Sequence, residues 1–163
     1  MDTSLRIPLL VILFLAVAGR CFAQQSDYVV LDSSEAAAAV KQCSRWAPEI
    51  EGSWNPTKED VAKLEANLRK ISALKADSCC ALRASIEHPE KFIRQYVGII
   101  VGGRKLVYVN AFFPEDNLLQ SKPGRPDWRK VALIICDGGE YFWGVIFDPC
   151  TATFSGLAMN GVG

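Results

Sequence analysis

The chain has 163 residues, its 18 lysines and arginines balance 18 aspartates and glutamates, and hydrophobic residues make up 50% of it. Because the basic residues are dispersed along the chain, the composition argues against a nucleic-acid partner. Some 140 residues follow the apolar N-terminus, roughly the length of one domain with its own core.

The N-terminus is typical of an export signal. Residues 7–18 are almost purely apolar, but a membrane-spanning helix needs about 20 such residues, so this run predicts the hydrophobic region of a secretory signal peptide. Small residues before Gln24 predict cleavage there, which divides the chain into a signal peptide at 1–23 and a single α+β domain at 24–163. We therefore expect an exported, periplasmic or secreted protein without a transmembrane segment in the mature chain.

Lipid anchoring at Cys21 is the alternative outcome of export. The residues before this cysteine are small and apolar, as a lipoprotein signal requires, but Arg20 stands where such a site takes a small residue. The sequence therefore favours a protein released from its signal over one anchored to a membrane.

Two helices are predicted in the first half of the chain. The first begins after Ser33 or Ser34 and ends near Trp46, because Pro48 cannot continue it. The second covers residues 56–76, and its apolar residues recur at spacings of three and four, which predicts that one stripe of this helix covers the sheet. The stripe consists of Val61, Leu64, Leu68, Ile71 and Leu74.

Apolar runs rich in β-branched residues predict strands in the second half. These runs lie at residues 97–101, 106–109, 131–135, 141–146 and 153–159, and a further run at 28–31 predicts an edge strand. The glycine pairs Gly102-Gly103 and Gly138-Gly139 separate neighbouring runs. Each pair predicts a two-residue hairpin, because adjacent glycines supply the positive φ angles of a type I′ turn.

The second predicted hairpin has two apolar faces. It would place Ile134 opposite Trp143 and Ala132 opposite Val145 on one face, and apolar residues also occupy the other. A sheet that is solvated on one side shows polar alternation instead. We therefore expect a helix, a long loop or another chain to cover part of the second face.

Residues 113–128 form the longest predicted connection between strands. This stretch contains three prolines, which rule out a regular strand, and connections longer than about 12 residues in a compact domain are commonly functional. We therefore expect it to provide a contact surface. The predicted binding residues are Phe113, Leu118, Leu119, Arg125 and Trp128.

The cysteines predict disulfides, which export permits. The disulfide candidates are Cys43, Cys79, Cys80 and Cys150. Adjacent cysteines seldom bridge each other, so we expect Cys43 and Cys150 each to pair with one of the neighbouring two. Cys136 is then expected to lie in its strand as a small buried hydrophobic residue. Five cysteines follow the signal, so one is left over unless Cys21 is retained or a second chain is recruited.

The sequence carries no strong catalytic, cofactor or metal motif. His88 is the only histidine, and it lies in a polar stretch that lacks the spacing of a metal site. Asp137 and Glu140 bracket a glycine pair and suggest paired carboxylates, but a tight turn explains them as well. We expect neither a cofactor nor a metal.

Three segments carry a resemblance to other proteins. YVGIIVGGRKLVYVNAF, CDGGEYFWGVIFDP and the closing MNGVG resemble a group of small exported bacterial proteins and lipoproteins of unassigned function, over residues 55–163 in outline. The plan is also similar to cystatin-like folds, although residues 95–98 match the Q-x-V-x-G motif of cystatins only in part. The expected fold class is α+β, with N-terminal helices packed on a four- to five-stranded antiparallel meander sheet.

The expected function is that of a noncatalytic exported binding protein with a protein partner, such as an inhibitor or an immunity-type protein. One alternative is an envelope structural or dimerising module, which would use an apolar sheet face or the spare thiol to form a homodimer. A second alternative is a small hydrolase. An enzyme would show a pocket near His88 that contains buried carboxylates with perturbed pKa values.

Overall fold

The computed structural model describes residues 27–76, 85–115, 124 and 126–162. These residues form an α+β fold built on a six-stranded sheet, which confirms the predicted class. The strands are β1 (Tyr28–Val30), β2 (Gly52–Trp54), β3 (Ile93–Val101), β4 (Arg104–Phe112), β5 (Phe142–Asp148) and β6 (Thr153–Met159). The α-helices are α1 (Ala36–Val40) and α2 (Lys58–Asn67), and 3-10 segments lie at Ser33–Glu35, Leu68–Ala73, Pro89–Lys91 and Gly139–Tyr141.

The sheet is mixed, so the predicted antiparallel meander is only partly correct. Strands β3 to β6 follow one another as an antiparallel meander. β1 lies parallel to residues 94–96 of β3, and β2 lies antiparallel to residues 98–100 of the same strand. The parallel pairing is possible because the long connection between β1 and β3, which contains α1, β2 and α2, provides the crossover that two parallel strands require.

The first predicted hairpin is confirmed. β3 and β4 pair along their whole length, with Val101 opposite Arg104, and both intervening glycines have positive φ angles, 57° at Gly102 and 71° at Gly103. The carboxylate of Glu51 accepts hydrogen bonds of 3.0 and 2.9 Å from the two glycine N–H groups. The tip of this hairpin is therefore tied to the segment that precedes β2.

The second predicted hairpin is wrong. Residues 131–135 form no strand, and β5 pairs instead with β4, so that Trp143 lies opposite Ala111 rather than Ile134. Gly138 and Gly139 do adopt positive φ angles, but they lead into the 3-10 segment Gly139–Tyr141. β4 offers β5 a continuous ladder of six residue pairs, and this pairing leaves the edge of β5 on that side unavailable to residues 131–135.

The second predicted helix, over residues 56–76, is confirmed in part: α2 covers Lys58–Asn67, and Leu68–Ala73 continues it as a 3-10 segment. Thr57 caps α2: its side chain accepts from the N–H of Asp60, whose carboxylate in turn accepts from the N–H of Thr57. Asn55 accepts a hydrogen bond from the N–H of Ser33. Most of the predicted stripe is buried against the sheet, whereas Leu74 is only partly buried.

The first predicted helix is shorter than expected. α1 ends at Val40 instead of near Trp46, and residues 41–47 continue without helical structure. Gln42 turns its side chain to the carbonyl groups of Ala39 and Leu133, at 3.1 and 3.2 Å. The next residue, Cys43, forms a disulfide with Cys136.

Both faces of the sheet are covered. α2 and Leu68–Ala73 pack on one face, against side chains such as Tyr96 and Trp143. α1 packs on the other face against Val97 and Tyr108, beside an extended segment at residues 131–137, which we call the strap. The expected cover of the second face is therefore provided by a helix and a long connection of the same chain.

The disulfide joins Cys43 to Cys136, with the two Cα atoms 4.7 Å apart, which corrects two expectations. Cys136 is an exposed residue of the strap rather than a buried strand residue, and it pairs with Cys43 because the strap runs beside the segment after α1. Cys150 is free and exposed in the turn after β5, not disulfide-bonded as expected. Cys79 and Cys80 lie outside the described residues.

Candidate binding cleft

A cleft of about 180 Å³ opens at one end of the sheet. β3 begins, β4 ends and β5 begins at this end, so the residues that flank these three strand ends come together although they are distant in sequence. The lining residues are Ser85, Ile86, Glu87, His88, Lys91, Phe92, Phe113, Glu140 and Tyr141.

Three aromatic rings form the walls of the cleft. Phe92 and Phe113 pack edge to face with ring centroids 5.7 Å apart, and Phe113 and Tyr141 do the same at 5.5 Å. Phe113 remains 37% exposed and Tyr141 50% exposed, so both present apolar surface to solvent. Phe92 also packs against the buried ring of Trp143 at 5.4 Å, which fixes one wall to the core.

Backbone hydrogen bonds hold in place the wall that Phe113 and Tyr141 form. The N–H of Phe113 donates to the carbonyl of Tyr141 at 2.9 Å, directly beyond the last pair of the β4–β5 ladder. The N–H of Gly139 donates to the carbonyl of Gly161 at 3.0 Å. The exposed ring pair therefore belongs to a preformed surface.

Arg94 positions the opposite wall, the turn at residues 88–92. This arginine is only 4% exposed, and its Nη1 donates to the carbonyl oxygens of Glu90 and Phe92, at 3.3 and 2.5 Å. It also lies 3.5 Å from the carboxylate of Glu65 on α2. Arg94 thus fixes the turn to β3, and the carboxylate of Glu65 on α2 balances the charge of Arg94.

Charged groups surround His88 at the rim. Its Nδ1 lies 3.3 Å from the carboxylate of Glu90, which is also 3.9 Å from the guanidinium of Arg69. A hydrogen bond from its own backbone N–H, together with the hydrogen bond from His88 and the charge of Arg69, lowers the pKa of Glu90 and outweighs the opposing effect of burial. This carboxylate therefore remains ionised at neutral pH.

The rim groups do not form a nucleophile–base pair. Ser72, which lines a neighbouring depression with His88, donates its hydroxyl to the carbonyl of Glu87 at 2.9 Å, while the imidazole faces Glu90. A general acid needs a raised pKa, whereas that of Glu90 is lowered. In the part of the chain that the structure describes, no three His, Cys, Asp or Glu side chains are grouped as a metal site requires.

The predicted binding residues have different locations. Phe113, the first residue of the predicted contact loop, lines the cleft. Trp128 is only 5% exposed, because its ring packs edge to face on Phe112 at 5.7 Å and the guanidinium of Arg129 covers it at 4.5 Å. Leu118, Leu119 and Arg125 lie outside the described residues. Trp128 thus supports the fold here, and a binding role for it remains a prediction.

The binding residues predicted from the sequence include neither Phe92 nor Tyr141. Both flank a strand end, Phe92 just before β3 and Tyr141 just before β5. Their position next to strand ends is the sequence feature that could have identified them, because aromatic residues beside strand ends at the same end of a sheet can contact each other. Of the two carboxylates around the glycine pair, Glu140 lines the cleft and Asp137 is exposed.

No protein-family model, curated protein or solved structure matches this chain. The resemblance to small exported bacterial proteins therefore remains a prediction. Among the described residues, no helix has the length and apolar character that a membrane span requires.

Proposed function

We propose that this chain is a noncatalytic exported protein that binds another protein, in the manner of an inhibitor or an immunity-type partner. One observation carries the proposal: the edge-to-face pair of Phe113 and Tyr141 is exposed at the mouth of a preformed cleft. Aromatic side chains are frequent anchors of protein interfaces, because they bury a large area at low cost in conformational entropy. The Cys43–Cys136 disulfide is compatible with export.

The dimensions of the cleft favour the insertion of one side chain. Its volume of about 180 Å³ is slightly larger than that of an apolar cavity of about 150 Å³ that accepts benzene. An apolar or aromatic side chain of the partner would contact the rings of Phe92, Phe113 and Tyr141. Because hydrogen bonds already fix both walls, little ordering is required on binding, and such preorganisation raises affinity.

The rim supports a noncatalytic role over the hydrolase alternative. His88 and Glu90 are exposed or partly exposed at the surface, and the lowered pKa of Glu90 opposes proton donation near neutral pH. The carboxylate of Glu90 and the guanidinium of Arg69 suit the polar rim that usually surrounds the apolar centre of a protein interface.

Capture of a partner tests the proposal. The protein, immobilised as bait, is exposed to exported proteins of its source cells, and the affinity for the captured protein is then measured by calorimetry. We expect Phe113→Ala and Tyr141→Ala each to weaken binding about tenfold or more, as the loss of an interface anchor does. Val30→Ala is the matched control, since Val30 is 39% exposed on β1 and does not line the cleft. Full affinity in both cleft variants, or no specific capture by the unmodified protein, would contradict the proposal.

The exposed thiol of Cys150 favours a dimerising module as the second candidate function. It lies in the turn between β5 and β6, where a second chain can approach it. Electrophoresis without reductant should then show a dimer that Cys150→Ser abolishes. A protein that remains monomeric in the oxidised state would exclude this thiol-linked form.

A further inference from the structure

The strap, residues 131–137, covers one face of the sheet without joining the sheet. Within the described residues, its only backbone-to-backbone hydrogen bond is that from the N–H of Val131 to the carbonyl of Asp127. Several other main-chain groups of the strap bond instead to side chains from different parts of the fold. A segment bound in this way can separate from the sheet without breaking a strand pair.

Buried amide side chains form hydrogen bonds with the main chain at the centre of the strap. The N–H of Leu133 donates to Oε1 of Gln95 at 2.9 Å, and the carbonyl of Leu133 accepts from Nδ2 of Asn110 at 2.9 Å. Nε2 of Gln95 also donates to the carbonyl of Val131 at 2.8 Å. Because an amide side chain carries both a donor and an acceptor, Gln95 and Asn110 replace the backbone of a neighbouring strand.

Further side chains bind the rest of the strap. The N–H of Ala132 donates to the carboxylate of Glu35 at 2.8 Å, and the N–H of Ile135 donates to Oε1 of Gln42 at 3.3 Å. The carbonyl of Ile135 accepts from Nδ2 of Asn160 at 2.7 Å. Gln95, Asn110 and Asn160 are each no more than 3% exposed with the strap in place, so opening of the strap would expose their amide groups to water.

Only the disulfide fixes the strap covalently to the segment after α1. Cys43 and Cys136 are both exposed, so a reductant can reach the bond. Two residues beyond Cys136 the chain enters the glycine pair, and the next residues, Glu140 and Tyr141, line the cleft. The strap and one wall of the cleft are thus continuous.

We propose that the Cys43–Cys136 disulfide is a redox latch that holds the strap on the sheet. A dithiol reductant transfers two electrons and two protons to the S–S bond, which yields two thiols, while the reductant closes to its own disulfide. The strap then opens locally and its main chain exchanges buried amide partners for water. The inference goes beyond the proposed function, because it requires no partner.

Local opening is expected because the strap contributes little to the apolar core. Ala132 and Leu133 are only partly buried against it, and Ile134 is 46% exposed. The β3–β4 ladder, by contrast, consists of nine residue pairs in the middle of the sheet. Regions with few buried apolar contacts open at lower free energy than the core, and a disulfide limits such opening.

Amide hydrogen exchange in the folded protein, with and without a dithiol reductant, tests the latch. We expect reduction to accelerate exchange at the N–H groups of Ala132, Leu133 and Ile135 about tenfold or more. The N–H groups of Val97 and Val107, within the β3–β4 ladder, should exchange at unchanged rates. Cys150→Ser is the matched control, because it removes the free thiol and leaves the disulfide, and it should respond to reduction like the unmodified protein.

The double substitution Cys43→Ser with Cys136→Ser provides a second measurement without reductant, and it should reproduce the reduced exchange pattern. Equal protection of the strap in both redox states would overturn the proposal, since the disulfide would then be a structural cross-link only. Parallel acceleration of the strap and the β3–β4 ladder, or failure of the double variant to fold, would overturn it as well, because the strap would then be inseparable from the fold.

Discussion

Arg94 donates a hydrogen bond of 2.9 Å from Nε to the hydroxyl of Tyr96, two residues further along the same face of β3. That hydroxyl donates in turn to the carboxylate of Glu65 on α2. Since Arg94 also holds the turn at residues 88–92 through its carbonyl groups, one row of polar side chains connects the helix, the sheet and a wall of the cleft.

Tyr96→Phe should therefore destabilise the protein by about 1–2 kcal/mol, because it leaves a buried guanidinium and a carboxylate with one partner fewer. Burial, the largest cause, raises the pKa of Tyr96 well above its ordinary value, so the folded state retains the phenol proton. The stabilisation is present below about pH 10, where an unfolded tyrosine ionises, and is lost as the pH rises beyond it.

Urea unfolding at pH 7 and above pH 10 measures both effects. At pH 7, Tyr96→Phe should be less stable than the unmodified protein. Between pH 7 and the alkaline condition, its free energy of unfolding should fall by less than that of the unmodified protein. Tyr141→Phe is the control, because it removes the same hydroxyl group from a tyrosine that is 50% exposed rather than buried. An identical alkaline loss in Tyr96→Phe and the unmodified protein would show that Tyr96 is not responsible.

Gln95→Leu should cost about 3 kcal/mol or more, since the side chain is fully buried and its loss leaves several groups without a partner. These groups are the carbonyl oxygens of Trp128 and Val131, the N–H of Leu133 and the side-chain amide of Asn110. Gln42→Leu serves as the matched comparison, because Gln42 is only partly buried and water can replace it. Equal unfolding free energies in the two variants would contradict the role assigned to Gln95.

Gly98→Ala should destabilise the protein by about 2–3 kcal/mol, because the added Cβ has no space. It would lie 2.1 Å from the carbonyl oxygen of Trp54, the residue that pairs with Gly98 across β2 and β3. In the control, Gly102→Ala, nothing lies within 4 Å of the added atom and only the positive φ angle opposes the substitution, at about 1 kcal/mol. A smaller loss at Gly98 than at Gly102 in chemical denaturation would be inconsistent with this packing.

Asp148→Asn should reduce the sensitivity to acid. Burial raises the pKa of Asp148, but hydrogen bonds from the N–H of Cys150 and from Thr151 and the charge of Arg104 outweigh it, so the pKa lies below its ordinary value. The stabilisation is present above about pH 4 and is lost as the pH falls through the folded-state pKa.

At pH 7 the asparagine variant should therefore be less stable by about 1 kcal/mol, since it retains one oxygen acceptor and loses a partly exposed ion pair. Unfolding free energies measured between pH 7 and pH 3 should converge with those of the unmodified protein at the acid end. A constant difference over this range would exclude the titration of Asp148 as the cause.

The features of the fold that the sequence predicted correctly are determined by residues that lie close together in the chain. The apolar spacing of α2 and the two positive φ angles at Gly102 and Gly103 are local properties, and the structure contains both features. The pair Gly138-Gly139 has the same local property, yet it joins the strap to a 3-10 turn. Which strand β5 joins is decided by competition between β4 and the strap, and a dipeptide contains no information about that competition.

The candidate site shows the same limit. Phe113 was predicted as a surface contact because it begins a long connection, and it is exposed at the cleft. Phe92 and Tyr141 reach it only through the registers of β3–β4 and β4–β5, which are set by long-range pairing. The disulfide partner of Cys43 depends likewise on the path of the strap, so cysteine spacing could not identify Cys136.

The tandem arrangement of β1 and β2 along one edge of β3 has a consequence for the order of folding. Tyr28 is the first strand residue to be synthesised, but its partner Arg94 follows 66 residues later. The β3–β4 hairpin, joined by two residues, has no such delay, and local pairings form fastest. We expect nucleation in the middle of the chain, with the earliest-made strand docking among the last.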